Sequence, residues 1–363
     1  MIENPFTYAL ELFSGANRSL GQFATDPHWG SVVEWARFEA WRRAGDAARI
    51  GEAKVNIEPV ADGTAGLPYA TGFKVRLTHR RTTLGESVFS QTWFDQLARD
   101  ASATRVAQGE LKAGETFYFK LLAYPRPVDA PAKASTIEVV EIWQPIPLKM
   151  SDLQSLTAQA TPVDDPHPDD VPVFIPHHVI EETATMTEKA GANETGSILI
   201  GHLRCDPGTR QIAVVVTAII PAKHVEASRD SLTFTAQTWS DVDAALTLRQ
   251  SDEIILGWAH SHPGKFWCNP QCSAERRREC AYMKPFFSAH DRTLHETVFS
   301  KPFHIALVVT NTDVGMIHSL YGWQRALIHP RGFHILNSNR PSTAVAAKTG
   351  DPTHEKTCPI TAS

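Results

Sequence analysis

The chain has 363 residues, of which 42% are hydrophobic and 21% are charged, and its net charge is −5 at neutral pH. This length is sufficient for two domains, and the composition excludes a disordered or fibrous protein. The acidic balance provides no basic surface, so no nucleic-acid partner is expected. No apolar run approaches the ~20 residues of a membrane helix, and the first residues lack the pattern of a signal peptide. We therefore expect a cytoplasmic protein with no membrane partner.

The first 150 residues have the patterning of a separate α+β domain. Apolar residues recur at helical spacing over 32–41, which predicts a helix. Alternating apolar and polar residues predict strands at 72–78, 116–122 and 136–143. No short motif in residues 1–150 carries recognisable chemistry, so we expect this domain to recognise a partner or a substrate.

An acidic, proline-rich segment follows. Residues 151–172 contain five Asp and four Pro but neither Lys nor Arg, a composition typical of an extended, solvated linker. The predicted second domain spans residues 173–335. The last residues, 336–363, are polar and predict a flexible tail.

Helical and strand patterns alternate through residues 173–335, which predicts an α/β (α+β) fold with a mixed sheet flanked by helices. The predicted helices are residues 177–189 and 288–298. The predicted strands are residues 197–201, 211–216, 254–258, 304–309 and 315–321.

Two histidines close the strand predicted at 254–258. Side chains alternate along a strand, so His260 and His262 point to the same face and can bind one ion. Catalytic zinc usually has three protein ligands, and this pair supplies only two. Asp291 is the candidate for the third, because Ser288 can cap a helix whose first turn contains Asp291. The same Ser-x-x-Asp pattern is also an ordinary capping motif, and a histidine pair alone is also found on half-buried surfaces.

A glutamate, Glu194, precedes the strand predicted at 197–201, and by itself it is typical of a solvent-facing residue. Taken together with the histidine pair and the Ser-x-x-Asp, however, it resembles the signature of the JAMM (MPN+, JAB) zinc metalloprotease family over residues 173–335. The residues that carry the resemblance are Glu194, His260-Ser261-His262-Pro263, Ser288 and Asp291, with Gly257-Trp258 before the first histidine.

The resemblance implies a fold and a set of roles. The fold is the JAMM/MPN mixed sheet of cytidine-deaminase type, here preceded by an additional N-terminal domain as in a bacterial deubiquitinase-like member. His260, His262 and Asp291 would bind a catalytic Zn2+, with water as the fourth ligand. Glu194 would act as general base and acid for that water, and Ser288 would stabilise the oxyanion.

The implied reaction is hydrolysis of the peptide or isopeptide bond that joins a ubiquitin-like protein to its conjugate or precursor. Ubiquitin-like activating and conjugating enzymes are further implied partners. Two alternatives use the same residues differently. One is a small-molecule amide hydrolase with the same zinc site. The other is a non-catalytic MPN scaffold, which would have lost metal ligands, and this sequence has lost none of them.

The sequence departs from the family at one point. The 28 residues 263–290 separate the second histidine from the aspartate, more than is usual in the family, and they predict an inserted loop. The loop carries Cys268, Cys272 and Cys280, whose spacing favours a second, structural zinc site. Buried or free thiols explain these cysteines equally well. Three candidates for a fourth ligand remain open: His290, His295 and Cys205.

Overall fold

The computed structural model of the protein describes residues 2–337, except 46, 62, 64–67, 127–145 and 228–231. The chain divides into two compact units, with the boundary between Pro145 and Ile146. Each unit is built on a mixed sheet with helices, which confirms the predicted α+β class. Among the described residues, no helix is both long enough and apolar enough to cross a membrane.

The described residues of the N-terminal unit form a sheet of seven strands: β1 (Ile2–Glu3), β2 (Phe6–Ser14), β3 (Ser19–Thr25), β4 (Lys54–Ala61), β5 (Tyr69–His79), β6 (Thr82–Ser90) and β7 (Phe117–Pro125). Their order is β1-β4-β5-β7-β2-β3, with β6 paired to β5. The helices are α1 (Gly30–Ala44), α2 (Ala47–Gly51) and α3 (Asp95–Ala107), the last preceded by a 3-10 turn at Gln91–Phe94.

Helix α1 contains the helix predicted at 32–41, and its apolar residues Val32, Phe38 and Trp41 are buried. The strands predicted at 72–78 and 116–122 correspond to β5 and β7. The strand predicted at 136–143 lies outside the described residues.

Between Ile146 and residue 337, the described residues of the second unit form twelve strands: β8 (Leu148–Met150), β9 (Ala160–Val163), β10 (Val173–Pro176), β11 (Gly196–Cys205), β12 (Ile212–Pro221), β13 (Val225–Ala227), β14 (Leu232–Phe234), β15 (Ile254–His262), β16 (Ile305–Thr312), β17 (Gly315–Gln324), β18 (Leu327–Arg331) and β19 (Phe333–Leu336). The main sheet has the order β18-β17-β16-β15-β11-β12-β10-β19-β9, and β8 pairs with β11. Strands β13 and β14 form a separate two-stranded sheet.

The described part of this unit also contains six helices: α4 (Leu153–Ala158), α5 (His177–Ala190), α6 (Ala236–Arg249), α7 (Gly264–Trp267), α8 (Ala274–Arg278) and α9 (Ala289–Val298), with a 3-10 turn at Ala281–Met283. The predicted helices correspond to α5 and α9, and the five predicted strands correspond to β11, β12, β15, β16 and β17. Helical and strand periodicity were therefore sufficient to locate these elements.

The acidic segment 151–172 is not the extended linker that its composition predicts. It contains α4 and β9, and β9 pairs with β19 near the end of the described chain. Asp152 caps α4 by accepting a hydrogen bond from the Ser155 amide (3.0 Å), and Leu153 is buried. Arg331 donates to the carbonyl of Val171. In this segment Asp152 caps a helix and Pro162 lies in a paired strand. Composition alone does not distinguish these structural roles from those of residues in a linker.

Strand β15 lies near the centre of the main sheet. It pairs antiparallel with β11 on one side and parallel with β16 on the other. Gly257 in β15 has a φ of 149°, and a Cβ built there would lie 1.8 Å from the carbonyl oxygen of Ile305. The close approach of β15 to β16 therefore requires glycine at this position.

We predict that Gly257→Ala lowers the free energy of unfolding by at least about 2 kcal/mol, because the new methyl group forces β15 away from β16. The control is Gly315→Ala, since Gly315 also has a positive φ (127°) but no atom lies within 4 Å of a Cβ built there. Urea denaturation of both variants measures the difference. Equal losses would mean that backbone strain, and not the strand contact, accounts for the glycine.

Candidate metal centre

The two histidines at the end of β15 share one face of the strand, as alternation predicts. Both are buried, with 2% of His260 and 1% of His262 exposed. Their Nε2 atoms lie 3.1 Å apart. The paired strands β11 and β16 fix the backbone of β15, so both imidazoles are held at one point beside the sheet.

The third member is Asp291 in the first turn of α9. Its carboxylate lies 3.2 Å (Oδ1) from His260 Nε2 and 3.4 Å (Oδ2) from His262 Nε2. The same side chain closes a capping box with Ser288: the Asp291 amide donates to Ser288 Oγ (3.0 Å), and the Ser288 amide donates to Asp291 Oδ2 (2.8 Å). Asp291 is thus both a member of the capping box and the candidate ligand, because the cap holds its carboxylate facing the histidines.

These three donors fit a zinc ion. Two imidazoles and a carboxylate form a common ligand set of catalytic zinc, and zinc–ligand distances of ~2.0–2.1 Å place tetrahedral ligands about 3.4 Å apart. The two Nε2 atoms lie 3.1 Å apart, and the distances from Nε2 to carboxylate oxygen are 3.2 and 3.4 Å. Across the described part of the chain, this is the one group of three or more potential ligands whose atoms lie within 4.8 Å of one another.

Burial and charge give the three groups different proton affinities. Burial lowers the pKa of His260, but the Asp291 carboxylate outweighs it, so the pKa is raised above its usual value. Burial dominates at His262, and its pKa is lowered. Burial also opposes charge on Asp291, yet the two imidazoles hold its pKa well below the usual range. The carboxylate is therefore ionised, as a metal ligand must be.

Aromatic rings orient both imidazoles. Trp258 stacks on His260 with ring centres 4.3 Å apart, and Phe286 stacks on His262 at the same separation. The Nδ1 atoms of both histidines have no hydrogen-bond partner among the described residues. Ring stacking here takes the orienting role that a hydrogen bond to the second imidazole nitrogen often has in metal sites.

Trp258 is itself held by α9. Its indole Nε1 donates to Nδ1 of His295 at 3.1 Å, and both side chains are buried. Burial lowers the pKa of His295 well below its usual value, so this imidazole is neutral and can accept the bond. His295 follows Asp291 by four residues, which places both on one helix face. Helix α9 therefore supplies one ligand and also supports the ring that orients another.

Glu194 lies two residues before the first residue of β11, on the side of the histidines. Gly196 is paired with His260, and the Ser261 amide donates to the Thr195 carbonyl (2.9 Å). Counting one residue further places Glu194 opposite His262, and side chains of opposite residues share a face. Glu194 is 6% exposed, and its charge is among the causes that raise the pKa of His260. The structure therefore brings the predicted base to the predicted ligands.

Gly196 leaves room for a neighbouring hairpin. A Cβ at Gly196 would lie 2.7 Å from Cδ2 of Leu232 in β14, so this side chain occupies the space opposite His260. His290 in α9 contacts the carbonyl of Leu232 through Nε2 (3.1 Å). The two-stranded sheet β13–β14 consequently borders the metal site.

The inserted loop carries the three cysteines as free thiols, with Cys268 buried and Cys272 and Cys280 partly exposed. Burial raises the pKa of Cys268, and the neighbouring Cys280 and Cys272 raise it further. The three thiols are neighbours, yet they are not part of the three-ligand group that the described residues contain. The second zinc site stays a prediction.

None of the candidates for a fourth thiol-site ligand is free to bind there. His295 accepts from Trp258, and His290 contacts Leu232. Cys205 ends β11, at the opposite end of that strand from Gly196. A structural zinc in the loop would therefore need a different fourth ligand.

Sequence reasoning missed the supporting residues Phe286 and His295 as parts of the site. The i, i+4 spacing of Asp291 and His295 was a usable signal, because such residues share a helix face. Phe286 carried no signal, since its contact with His262 depends on how the loop folds. Trp258, which the motif includes, is 1% exposed and packs against His260.

The sequence matches no family model, and no curated protein sequence matches it either. Among solved structures, the solution structure of protein DSY2949 from Desulfitobacterium hafniense covers 47% of this chain and 95% of its own, with 17% identity and a TM-score of 0.32.

We predict that Asp291→Asn reduces bound zinc from stoichiometric to background, because the amide keeps a cap acceptor for Ser288 but is a poor zinc ligand. Elemental analysis of the purified protein measures the zinc content. The matched control is Asp243→Asn on the exposed face of α6, which should retain its zinc. Full zinc content in Asp291→Asn would remove Asp291 from the ligand set.

Trp258→Phe should weaken zinc binding about 10-fold, since it removes the indole donor that fixes the ring stacked on His260. Competition with a chromogenic chelator measures the affinity. The control is Trp239→Phe, because the Trp239 ring packs edge-on against Phe234 and tilted against Phe299 and makes no ring contact with either His260 or His262. If both variants bind zinc equally, stacking by Trp258 does not orient the ligand.

Proposed function

We propose that the chain is a zinc-dependent isopeptidase or peptidase of JAMM type. The observation that carries the proposal is a buried carboxylate, Glu194, two residues before the point where β11 pairs with His260 and close to three buried groups that could hold a metal. A ligand set alone fits many zinc proteins, whereas a buried carboxylate beside it has the position required of a general base.

The proposed division of labour follows from the contacts. His260, His262 and Asp291 would hold the zinc ion. When bound, zinc supplies Lewis acidity that makes water reactive toward a carbonyl at neutral pH. Glu194 accepts the proton of the attacking water and returns it to the departing amine. Ser288 Oγ accepts from the Asp291 amide, which leaves the hydroxyl hydrogen free to be donated to the oxyanion.

The proposed substrate is the C-terminal tail of a ubiquitin-like protein in its conjugate or precursor. Support for this class comes from the resemblance of the motifs to the JAMM family, and from the short β13–β14 sheet beside the site, which can accept an extended tail by strand addition. Ubiquitin-like activating and conjugating enzymes are the proposed further partners, with the N-terminal unit selecting among them.

We place this activity in the cytoplasm. The four cysteines within the described residues are all free thiols, as is usual in a reducing compartment.

Glu194→Gln should retain zinc and lose turnover by about 100-fold or more, because the amide cannot accept the proton. The assay follows cleavage of ubiquitin-like proteins fused linearly to a reporter or linked to a lysine side chain, with and without a chelator. The matched control is Glu188→Gln on the exposed side of α5, which should cleave as the unaltered protein does.

Three results would contradict the proposal in different ways. An active Glu194→Gln variant would exclude Glu194 as the base. Zinc binding with hydrolysis of small amides alone would favour the small-molecule amide hydrolase. Zinc binding with no hydrolysis of any substrate would favour a non-catalytic scaffold.

A further inference from the structure

One hydrogen bond at the end of the β11–β15 pair departs from the regular pattern of backbone hydrogen bonds. In an antiparallel pair, two opposite residues can exchange both backbone bonds. The Ser261 amide donates to the Thr195 carbonyl (2.9 Å) as expected, but the Thr195 amide donates to Ser261 Oγ (3.0 Å). The serine side chain thus takes the place of a backbone carbonyl as the acceptor.

This bond fixes the peptide that carries the proposed base. The Thr195 N–H belongs to the peptide unit whose carbonyl comes from Glu194. Regular pairing of β11 begins only at Gly196, so Glu194 precedes the ladder. The side chain of Ser261 therefore extends the strand pairing by one residue and holds the peptide unit beside Glu194.

Ser261 does not touch the metal site itself. It lies between the two histidines in β15, so its side chain points to the opposite face of the strand. There it borders a small cavity shared with Thr183, Met186 and Val309 and is 1% exposed. The Ser261 hydroxyl contacts the Thr195 amide, so we expect any effect of Ser261 on turnover to pass through Thr195.

We propose that Ser261 is a positioning residue whose hydroxyl sets the place of Glu194 relative to the histidines. The inference rests on the proposed function, since it assigns Glu194 the role of base. It gives a reason for a small hydroxyl residue between the two candidate ligands: an oxygen on the β-carbon accepts from the Thr195 amide while the backbone of β15 continues its pairing with β16.

Two substitutions form a matched set. Ser261→Thr keeps the hydroxyl and adds a methyl group, and a β-branched residue suits a strand. Ser261→Val has nearly the shape of threonine but no acceptor. The comparison of threonine with valine therefore separates the hydrogen bond from the packing.

We expect both variants to bind zinc as the unaltered protein does. Ser261→Val should lower kcat about 10- to 100-fold with little change in KM, because a misplaced base slows the chemical step. Ser261→Thr should restore kcat. In a Glu194→Gln background, Ser261→Val should cause no further loss, because the residue acts through Glu194.

Amide hydrogen exchange provides a readout that is independent of activity. The Thr195 amide should be protected in the unaltered protein and in Ser261→Thr, and should exchange faster in Ser261→Val. If the unaltered protein binds zinc but cleaves no substrate, the proposed function is wrong. Hydrogen exchange at the Thr195 amide would still test its bond to Ser261 Oγ.

Several results would overturn the positioning role. These are full activity of Ser261→Val, equal loss in the threonine and valine variants, a further loss when Ser261→Val is added to Glu194→Gln, or unchanged exchange at Thr195.

Discussion

The double pairing of β15 is the constraint on which the site depends. Because β11 pairs with it on one side and β16 on the other, the strand cannot shift its register without breaking two ladders. A shift of one residue would turn both histidines to the face now occupied by Ser261. The approach to β16 is close enough to require Gly257, and the pairing with β11 brings Glu194 toward the histidines. The two candidate histidine ligands and the proposed base are thus positioned by the same strand.

Helix α9 completes the site from outside the sheet, at an electrostatic cost. Three ionisable groups lie within 3.4 Å of one another and are almost fully buried. Charges removed from water are stable only when they are paired or bind a metal. Asp291 pairs with both imidazoles and with the cap of its own helix. The aromatic surroundings of the histidines exclude water and strengthen these interactions, which suits a site that binds a divalent cation.

The sequence was sufficient for features that depend on local pattern. Alternation placed the two histidines on one face, and the Ser-x-x-Asp pattern located the start of α9. Long-range pairing was not accessible in the same way. The pairing of β9 with β19 converts a segment that reads as a linker into part of the sheet, and nothing in its composition indicates that partner. For the same reason the contact of Phe286 with His262 and the bond from Thr195 to Ser261 emerged only from the folded chain.

The cysteine-bearing loop has the sequence pattern of a zinc site, but its cysteines are not part of the group that could hold a metal. Its thiols have the spacing of a zinc site and lie near one another, but the candidate fourth ligands are engaged elsewhere. The histidines and Asp291, by contrast, converge with the distances that a single ion requires.

We propose that one zinc ion binds between His260, His262 and Asp291. Anomalous diffraction at the zinc absorption edge, from crystals grown with zinc, locates the ion directly. We expect a strong peak within about 2.0–2.2 Å of both Nε2 atoms and of a carboxylate oxygen of Asp291. A crystal with no peak at that point, or with its zinc bound only at the cysteines, would contradict it.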